Sequence, residues 1–451
     1  MIKAIVVILL SCCLVSYADT VIIERASQLI EWFNDHYGDT NQVVIELAAD
    51  IDFHSSGLKY PLGVFQGTCH PFSGSFKGRE HRIKGLVMNN KNDNTYSSAG
   101  LFCGLKGAIV DDLVIDESCK FTGVSAGALS VKVIGDNSVN LLNIENKAQV
   151  NGDHGVGGLI GFVNSKVGGK VFLERCVNTG DITAMESDAG GLIGNVESTQ
   201  STEVAFENSI NKGVVSGTQV AGGFLGSLQN SGSVKITVNK SINENAVEGK
   251  NYIGGFLGYV ERANEGSEWM IKMTNNINRG VVKGEKMACG FFCSIDSESD
   301  APSALVYNNL NSGTISGSDA YGFAPYVTNS ANDVSLGTVN GTHYSASFWK
   351  TAKTNHTLVT TEELCKNCDS AVWAIKNKDG TYDVTRTKMK IHDMLNWIVV
   401  TEQNWKSLAF WNSKLEFQEN DGQANLAHSL SMHFSVISLV FLIIIQGIFS
   451  Q

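Results

Sequence analysis

The sequence predicts an all-β fold: a right-handed parallel β-helix solenoid with an N-terminal helical cap and a Trp-rich C-terminal cap. Three observations predict it. A glycine-rich phrase recurs six times, at steps of 33, 32, 32, 35 and 32 residues counted on Gly158, Gly191, Gly223, Gly255, Gly290 and Gly322. A second phrase, Asn-x-Gly beside a β-branched run, keeps the same beat. Glycine is abundant at 46 residues and proline rare at 4, which suits tight turns between paired strands and argues against disorder. A fixed period in this range belongs to stacked coils, each touching only its neighbours.

The first phrase reads Gly157-Gly158-Leu159-Ile160-Gly161-Phe162-Val163, and returns as Gly190-Gly191-Leu192-Ile193, Gly222-Gly223-Phe224-Leu225 and Gly254-Gly255-Phe256-Leu257. Decayed copies follow at 289–295 and 321–327. Glycine is too frequent for a helix interior, so the phrase reads as a strand. With period two, the residue after the glycine pair, the next glycine and the closing aliphatic share the inward face. Phe224, Phe256, Phe291 and Phe323 then stack as an inner aromatic ladder. The variable fourth position (Phe162, Asn195, Ser227, Tyr259, Ser294, Tyr326) points outward. The apolar second position fits no solvated face.

The second phrase reads Asn178-Thr179-Gly180, Asn211-Lys212-Gly213, Asn243-Glu244-Asn245, Asn278-Arg279-Gly280 and Asn311-Ser312-Gly313. It is expected as a turn entering a strand, since Asn and Gly tolerate positive φ. The short apolar stretch after it often closes on glycine: Gly217, Gly249, Gly284 and Gly317. A middle strand such as 234–238 completes about three strands per coil. Residues 197–203, 229–233 and 261–268 form variable loops.

The solenoid spans 43–330. Residues 99–103 and 126–129 are divergent copies of the first phrase, and 43–53 and 72–86 read as the leading coils. Residues 19–42 hold the cap, with an amphipathic helix over 24–37 carrying Leu29, Ile30, Trp32 and Phe33. Residues 331–419 close the far end. Five of the seven Trp lie there, and Asp379-Gly380 marks a hairpin after 372–375.

The Gly-Gly-apolar-apolar-Gly phrase resembles the GLUG motif of secreted and cell-surface proteins, and 45–53 and 76–86 look like the coils that lead into such repeats. The resemblance covers 43–327. It implies the solenoid fold and an adhesin-like surface protein. GLUG repeats also occur in noncatalytic parts of IgA-cleaving metalloproteases. This chain has no His-Glu-x-x-His, so the protease activity is not carried over.

Residues 1–18 read as a secretory signal: Lys3, an apolar core, then Ser16-Tyr17-Ala18. At the other end, Asn420-Asp421-Gly422 gives three small residues, and the spacer runs to 433. Residues 434–451 are a hydrophobic tail with no basic flank. This is the glycosylphosphatidylinositol (GPI) attachment pattern, with Asn420 the expected attachment residue and Gly422 the alternative. A single-span membrane tail is the competing reading. Sequons at Asn239, Asn340 and Asn355 fit the secretory route. Together these place the chain on the outer face of a eukaryotic plasma membrane.

Net charge is −11 without a basic cluster, which disfavours nucleic acid and anionic lipid headgroups as partners. Eight cysteines remain after the signal. Cys365-Lys366-Asn367-Cys368 is the local disulfide candidate, and no second pair has zinc-site spacing. Cys103, Cys289 and Cys293 are expected as buried small residues in glycine positions, with disulfide bridges the alternative. Cys69 and Cys119 could pair. Cys176 has no assigned partner.

Catalysis in a β-helix needs clustered carboxylates on one exposed face. Asp50 with Asp52, Asp111 with Asp112 and Asp116, and His81, Arg82 and Lys84 are explained as strand ends and outer edges. The repeats carry no recurring charged column, so no residue is assigned a catalytic, metal or cofactor role. The expectation is a noncatalytic adhesion or ligand-binding protein whose partner is an extracellular protein or glycan. The alternatives are a passive coat protein or antigen, and a carbohydrate-active enzyme.

Overall fold

The computed structural model describes 19–36, 43–135, 137–165, 169–230, 232–261, 269–294, 303–307 and 309–325, with short strand pieces out to 383. All of these lie within 1–403, and 404–451 lie outside the described residues. The signal segment, Cys365, Cys368, Asn355 and the whole attachment region lie outside the described residues.

Strands stack in parallel between successive coils, forming sheets of 19, nine, eight and six strands. One coil runs Gly169–Glu174 and Val177–Asn178 in the longest sheet, Ile182–Ala184 in the second, Asp188–Gly190 in the third and Ile193–Ser198 in the fourth. That is five strand pieces, not three. The extra break comes from a left-handed residue that bends the long strand: Arg175 (φ 53°), Asn208 (49°), Lys240 (48°) and Asn275 (59°) in successive coils. Parallel pairing continues through His343–Tyr344. An antiparallel pair joins Ile375–Lys376 to Tyr382–Asp383; Asp379 and Gly380 between them lie outside the described residues.

The glycine phrase straddles a corner between two sheets rather than forming one strand. Val220–Gly222 ends one strand and Leu225–Asn230 begins the next. The bend turns both apolar positions inward, so Phe224 and Leu225 are each fully buried. This explains the second apolar position that fitted no outer face. The first glycine is required by the corner itself: a Cβ on Gly222 would lie 1.9 Å from the Leu225 carbonyl oxygen.

The aromatic ladder forms as expected. Ring centroids are 4.8 Å apart for Phe224–Phe256, 5.1 Å for Phe256–Phe291 and 4.5 Å for Phe291–Phe323, all stacked. The spacing follows from the distance of about 4.8 Å between paired strands.

The asparagines form a second ladder. Asn146, Asn178, Asn211, Asn243, Asn278 and Asn311 are fully buried. The Nδ2 of each of the first five donates to the Oδ1 of the next, at 2.8, 2.9, 2.9, 2.8 and 2.8 Å. Each also donates to the carbonyl two residues on. None of these asparagines adopts positive φ. The glycine two residues later is needed for close approach: a Cβ on Gly213 would lie 1.9 Å from the Gly180 oxygen. The two phrases are two sides of one contact, since a Cβ on Gly223 would lie 2.7 Å from Asn243 Oδ1.

At the N-terminal end, Thr20–Ile23 pairs only with Val44–Leu47 as an outermost strand. The helix Ala26–Asp35 follows it. Leu29 is fully buried, and Phe33 sets its ring 5.7 Å from both Phe72 and Phe102.

The cysteines correct the sequence reading. Cys69 bonds Cys103, with Cα atoms 5.7 Å apart, and Cys289 bonds Cys293 across a corner. Cys119 is not the partner of Cys69; its thiol is free and buried, donating to the Ile83 carbonyl. Cys69 ends the hairpin Val64–Phe65/Thr68–Cys69. The Gln66–Gly67 turn of that hairpin, at positive φ, brings it beside the Cys103 coil.

Candidate functional site

With the repeated positions used in the interior, the surface chemistry sits on outward columns. Among the described residues one such feature is an open cleft at the corner between the second and third sheets. It has a volume of about 570 Å³ and crosses four coils. One wall is Thr183, Ser216, Glu248 and Lys283, consecutive register partners on the second sheet. The other is Met185, Thr218, Lys250 and Glu285. Between them runs the column Ala184, Gly217, Gly249 and Gly284.

That floor column answers to the packing of the corner beneath it. Gly217 turns its absent side chain into a corner so tight that a Cβ would lie 2.0 Å from the Val220 oxygen. The closing glycines of the sequence thus make room for backbone carbonyls and interior side chains at the corner. The walls divide into a hydroxyl half and a charged half. Thr218 Oγ1 donates to the Met185 carbonyl at 2.6 Å, fixing that rim. In the charged half the signs alternate across the cleft and between coils: Glu248 and Lys250, then Lys283 and Glu285. Among the described residues these four make no ion pair.

A second polar strip lies on the outer side of the next corner. Asp188, Asn195 and Ser227 are all buried there. Asn195 and Ser227 hold the variable fourth position that was expected to face solvent, while Phe162 and Tyr259 at that position are half-buried. The corner is re-entrant, so residues of the third sheet cover them. Asn195 Nδ2 donates to Asp188 Oδ2 at 3.3 Å. Tyr252 packs on Tyr259 with centroids 5.3 Å apart. Burial pushes the Asp188 carboxyl above its ordinary range, against the opposing influence of Ser227, Ser187 and His154. Asn195 Oδ1 and Ser227 Oγ have no aligned hydrogen-bond partner.

The acidic residues noted in the sequence are largely tied up. Asp50 Oδ2 pairs with Lys84 at 2.6 Å, and Asp50 Oδ1 lies 3.6 Å from His81. Burial would raise its carboxyl, but the Lys84 and Arg82 hydrogen bonds hold it below the usual range. Asp52 pairs with His54, and Asp116 with Arg82 at 3.2 Å. Asn143 Nδ2 bridges Asp111 and Asp112 at 3.1 and 2.9 Å. Burial first, and Asp111 second, push the Asp112 carboxyl up.

A charged column does recur, contrary to the sequence reading. The middle residue of Asn-x-Gly lines up as Lys212, Glu244 and Arg279, with Glu244 lying 3.7 and 3.6 Å from its two partners. Lys170, Glu203 and Lys235 form another on the longest sheet, at 2.9 and 2.7 Å. Of the sequons, Asn239 ends the strand Val234–Asn239, and its Nδ2 donates to Glu207 Oε2 at 2.9 Å. Asn340 ends the short strand Val339–Asn340.

Residues 197–203, 229–233 and 261–268 were expected as a contact edge. Residues 199–201 join the fourth sheet to the longest one, and 231 and 262–268 lie outside the described residues. The cleft residues were not singled out from the sequence. The signal was present in the positions flanking Gly249 and Gly284, where the charge order reverses from one coil to the next.

No family profile matches the chain. No curated protein matches it. Among solved structures, similarity is found to a Bacteroides ovatus protein described as a "putative immunoglobulin A1 protease". Identity is 16%, the TM-score is 0.45, and the match covers 63% of this chain and 81% of that one. Neither activity nor ligand is drawn from a likeness at that level.

Proposed function

We propose that the chain is a GPI-anchored cell-surface solenoid, adhesin-like in its GLUG-type repeats, that binds an extracellular ligand without transforming it. The observation that carries this reading is the cleft. It is open, spans four coils and is built from outward side chains that the interior does not need. Its volume is in the range of ligand sites, about 300–1,000 Å³. Its acidic side chains alternate with lysines, which suits holding a ligand by many polar contacts.

The test uses the full chain displayed on cells, probed with glycan and protein panels. Saturable binding with the ligand recovered intact supports the reading. A ligand recovered cleaved replaces it with the carbohydrate-active alternative. No binding across both panels leaves the passive coat. The anchor is tested separately by peptide mass mapping of the mature surface protein. A glycolipid-bearing peptide ending at Asn420 or Gly422 supports it, and recovery of peptides from 434–451 refutes it.

A further inference from the structure

We infer that the cleft takes an uncharged linear glycan lying along the solenoid axis, one sugar unit per coil. This rests on the ligand-binding reading above and names the ligand class. Four features of the cleft carry it. Equivalent wall positions recur once per coil, at the strand spacing of about 4.8 Å. That repeat is close to the length of one pyranose unit, whereas an extended peptide advances only about 3.3 Å per residue and falls out of step.

The walls offer what vicinal hydroxyls need. Thr183 and Ser216 carry hydroxyls that donate and accept, and Thr218 Oγ1, whose proton goes to the Met185 carbonyl, accepts. Glu248 and Glu285 accept, while Lys250 and Lys283 donate. The checkerboard sums to zero charge, so neither a polyanion nor a polycation gains from it. The chain's net charge of −11 further disfavours acidic polysaccharides. Ala184, Gly217, Gly249 and Gly284, whose side-chain positions face the interior, leave backbone as the floor between the walls, and Met185 supplies an apolar edge at one end.

The experiment measures binding of neutral oligosaccharides of two to six units to the full-length protein in detergent. Sulfated glycans and a peptide library run beside them. Affinity should rise with length up to about four units and then level off, because the cleft crosses four coils. Ser216→Trp should fill the cleft and weaken binding at least tenfold. Ser216 lies on the outward face of its strand, so melting should be unchanged. Lys235→Trp, on the longest sheet, should leave binding intact and controls for added bulk.

Unchanged glycan binding in Ser216→Trp overturns the site while leaving the wider ligand-binding reading standing. Binding of sulfated glycans or peptides alone overturns the ligand class. Should Ser216→Trp fail to fold, Glu248→Gln with Lys283→Met serves instead, and the same loss is required. Absence of binding to every probe overturns both readings.

Discussion

The asparagine ladder gives the sharpest quantitative test. In Asn211→Ala three buried hydrogen bonds disappear. Asn211 Nδ2 donates to the Gly213 carbonyl at 3.0 Å and to Asn243 Oδ1 at 2.9 Å, and its Oδ1 accepts from Asn178 Nδ2 at 2.9 Å. Each such bond contributes about 1 kcal/mol net, and an orphaned buried acceptor costs about 1–3 kcal/mol. Asn178 Nδ2 keeps the Gly180 carbonyl, so its loss is the smallest. The sum is roughly 4 kcal/mol. Asn211→Asp should cost more, because its oxygens cannot donate and a buried charge is added. Native-state hydrogen exchange of the full chain reads this coil by coil, since each coil depends mainly on its neighbours. Protection over 178–247 should fall by roughly two to three powers of ten. Thr237→Ala, on the outer face of the longest sheet, should change stability by no more than about 0.5 kcal/mol. A loss below about 1 kcal/mol in Asn211→Ala, or one equal to that control, would refute the ladder as a stabilising element.

Phe256→Ala should destabilise by about 3–5 kcal/mol because it removes a ring stacked on both sides, whereas half-buried Tyr259→Ser should cost far less; equal urea midpoints would reverse that expectation. Non-reducing peptide mapping should recover Cys69 linked to Cys103, and Cys289 to Cys293, together with a bridge between Cys365 and Cys368. Burial pushes the free thiols of Cys119 and Cys176 up to about 11 and about 12, so iodoacetamide should label them only after unfolding. Burial also raises the Asp188 carboxyl above 3.8, so the native state binds that proton more tightly than the unfolded chain. Its contribution is therefore fully present below pH 3.8 and is lost as pH rises through the native value. Asp188→Asn should accordingly stabilise the protein at pH 7 and change little at pH 3; a larger gain at pH 3 would contradict the burial argument.

The repeat period fixed the solenoid in advance because its cause is geometric. Equal coil lengths place Phe224 over Phe256 and Asn211 over Asn243, and the sequence writes each stack as a recurring letter. What the period hid was how each letter is used. Asn-x-Gly looked like a turn that needs positive φ, yet its asparagines bond one another and its glycine only makes room for a carbonyl. The residues that do take positive φ, Arg175, Asn208, Lys240 and Asn275, vary in type and so left no phrase to find. The Cys69–Cys103 bridge was hidden for a different reason. It depends on a short hairpin that departs from the repeat, and period alone could not bring Cys69 to Cys103.

The candidate site was less legible because the fold spends its regularity inside. Positions that must repeat face inward, where ring stacking and amide ladders tolerate few substitutes. Positions that face out are free to differ, and a cleft made of differing residues leaves no repeated word. Only the floor betrays it, since Gly217, Gly249 and Gly284 recur for a backbone reason. A reader of similar solenoids should therefore look at the residues flanking each corner glycine. Where those neighbours stay short and hydroxylated, or alternate in sign across successive coils, the corner is open and its chemistry is available to a ligand. Ser216→Trp tests that rule on this chain, because it changes one flanking residue and leaves the glycine column, the asparagine ladder and the stacked rings untouched.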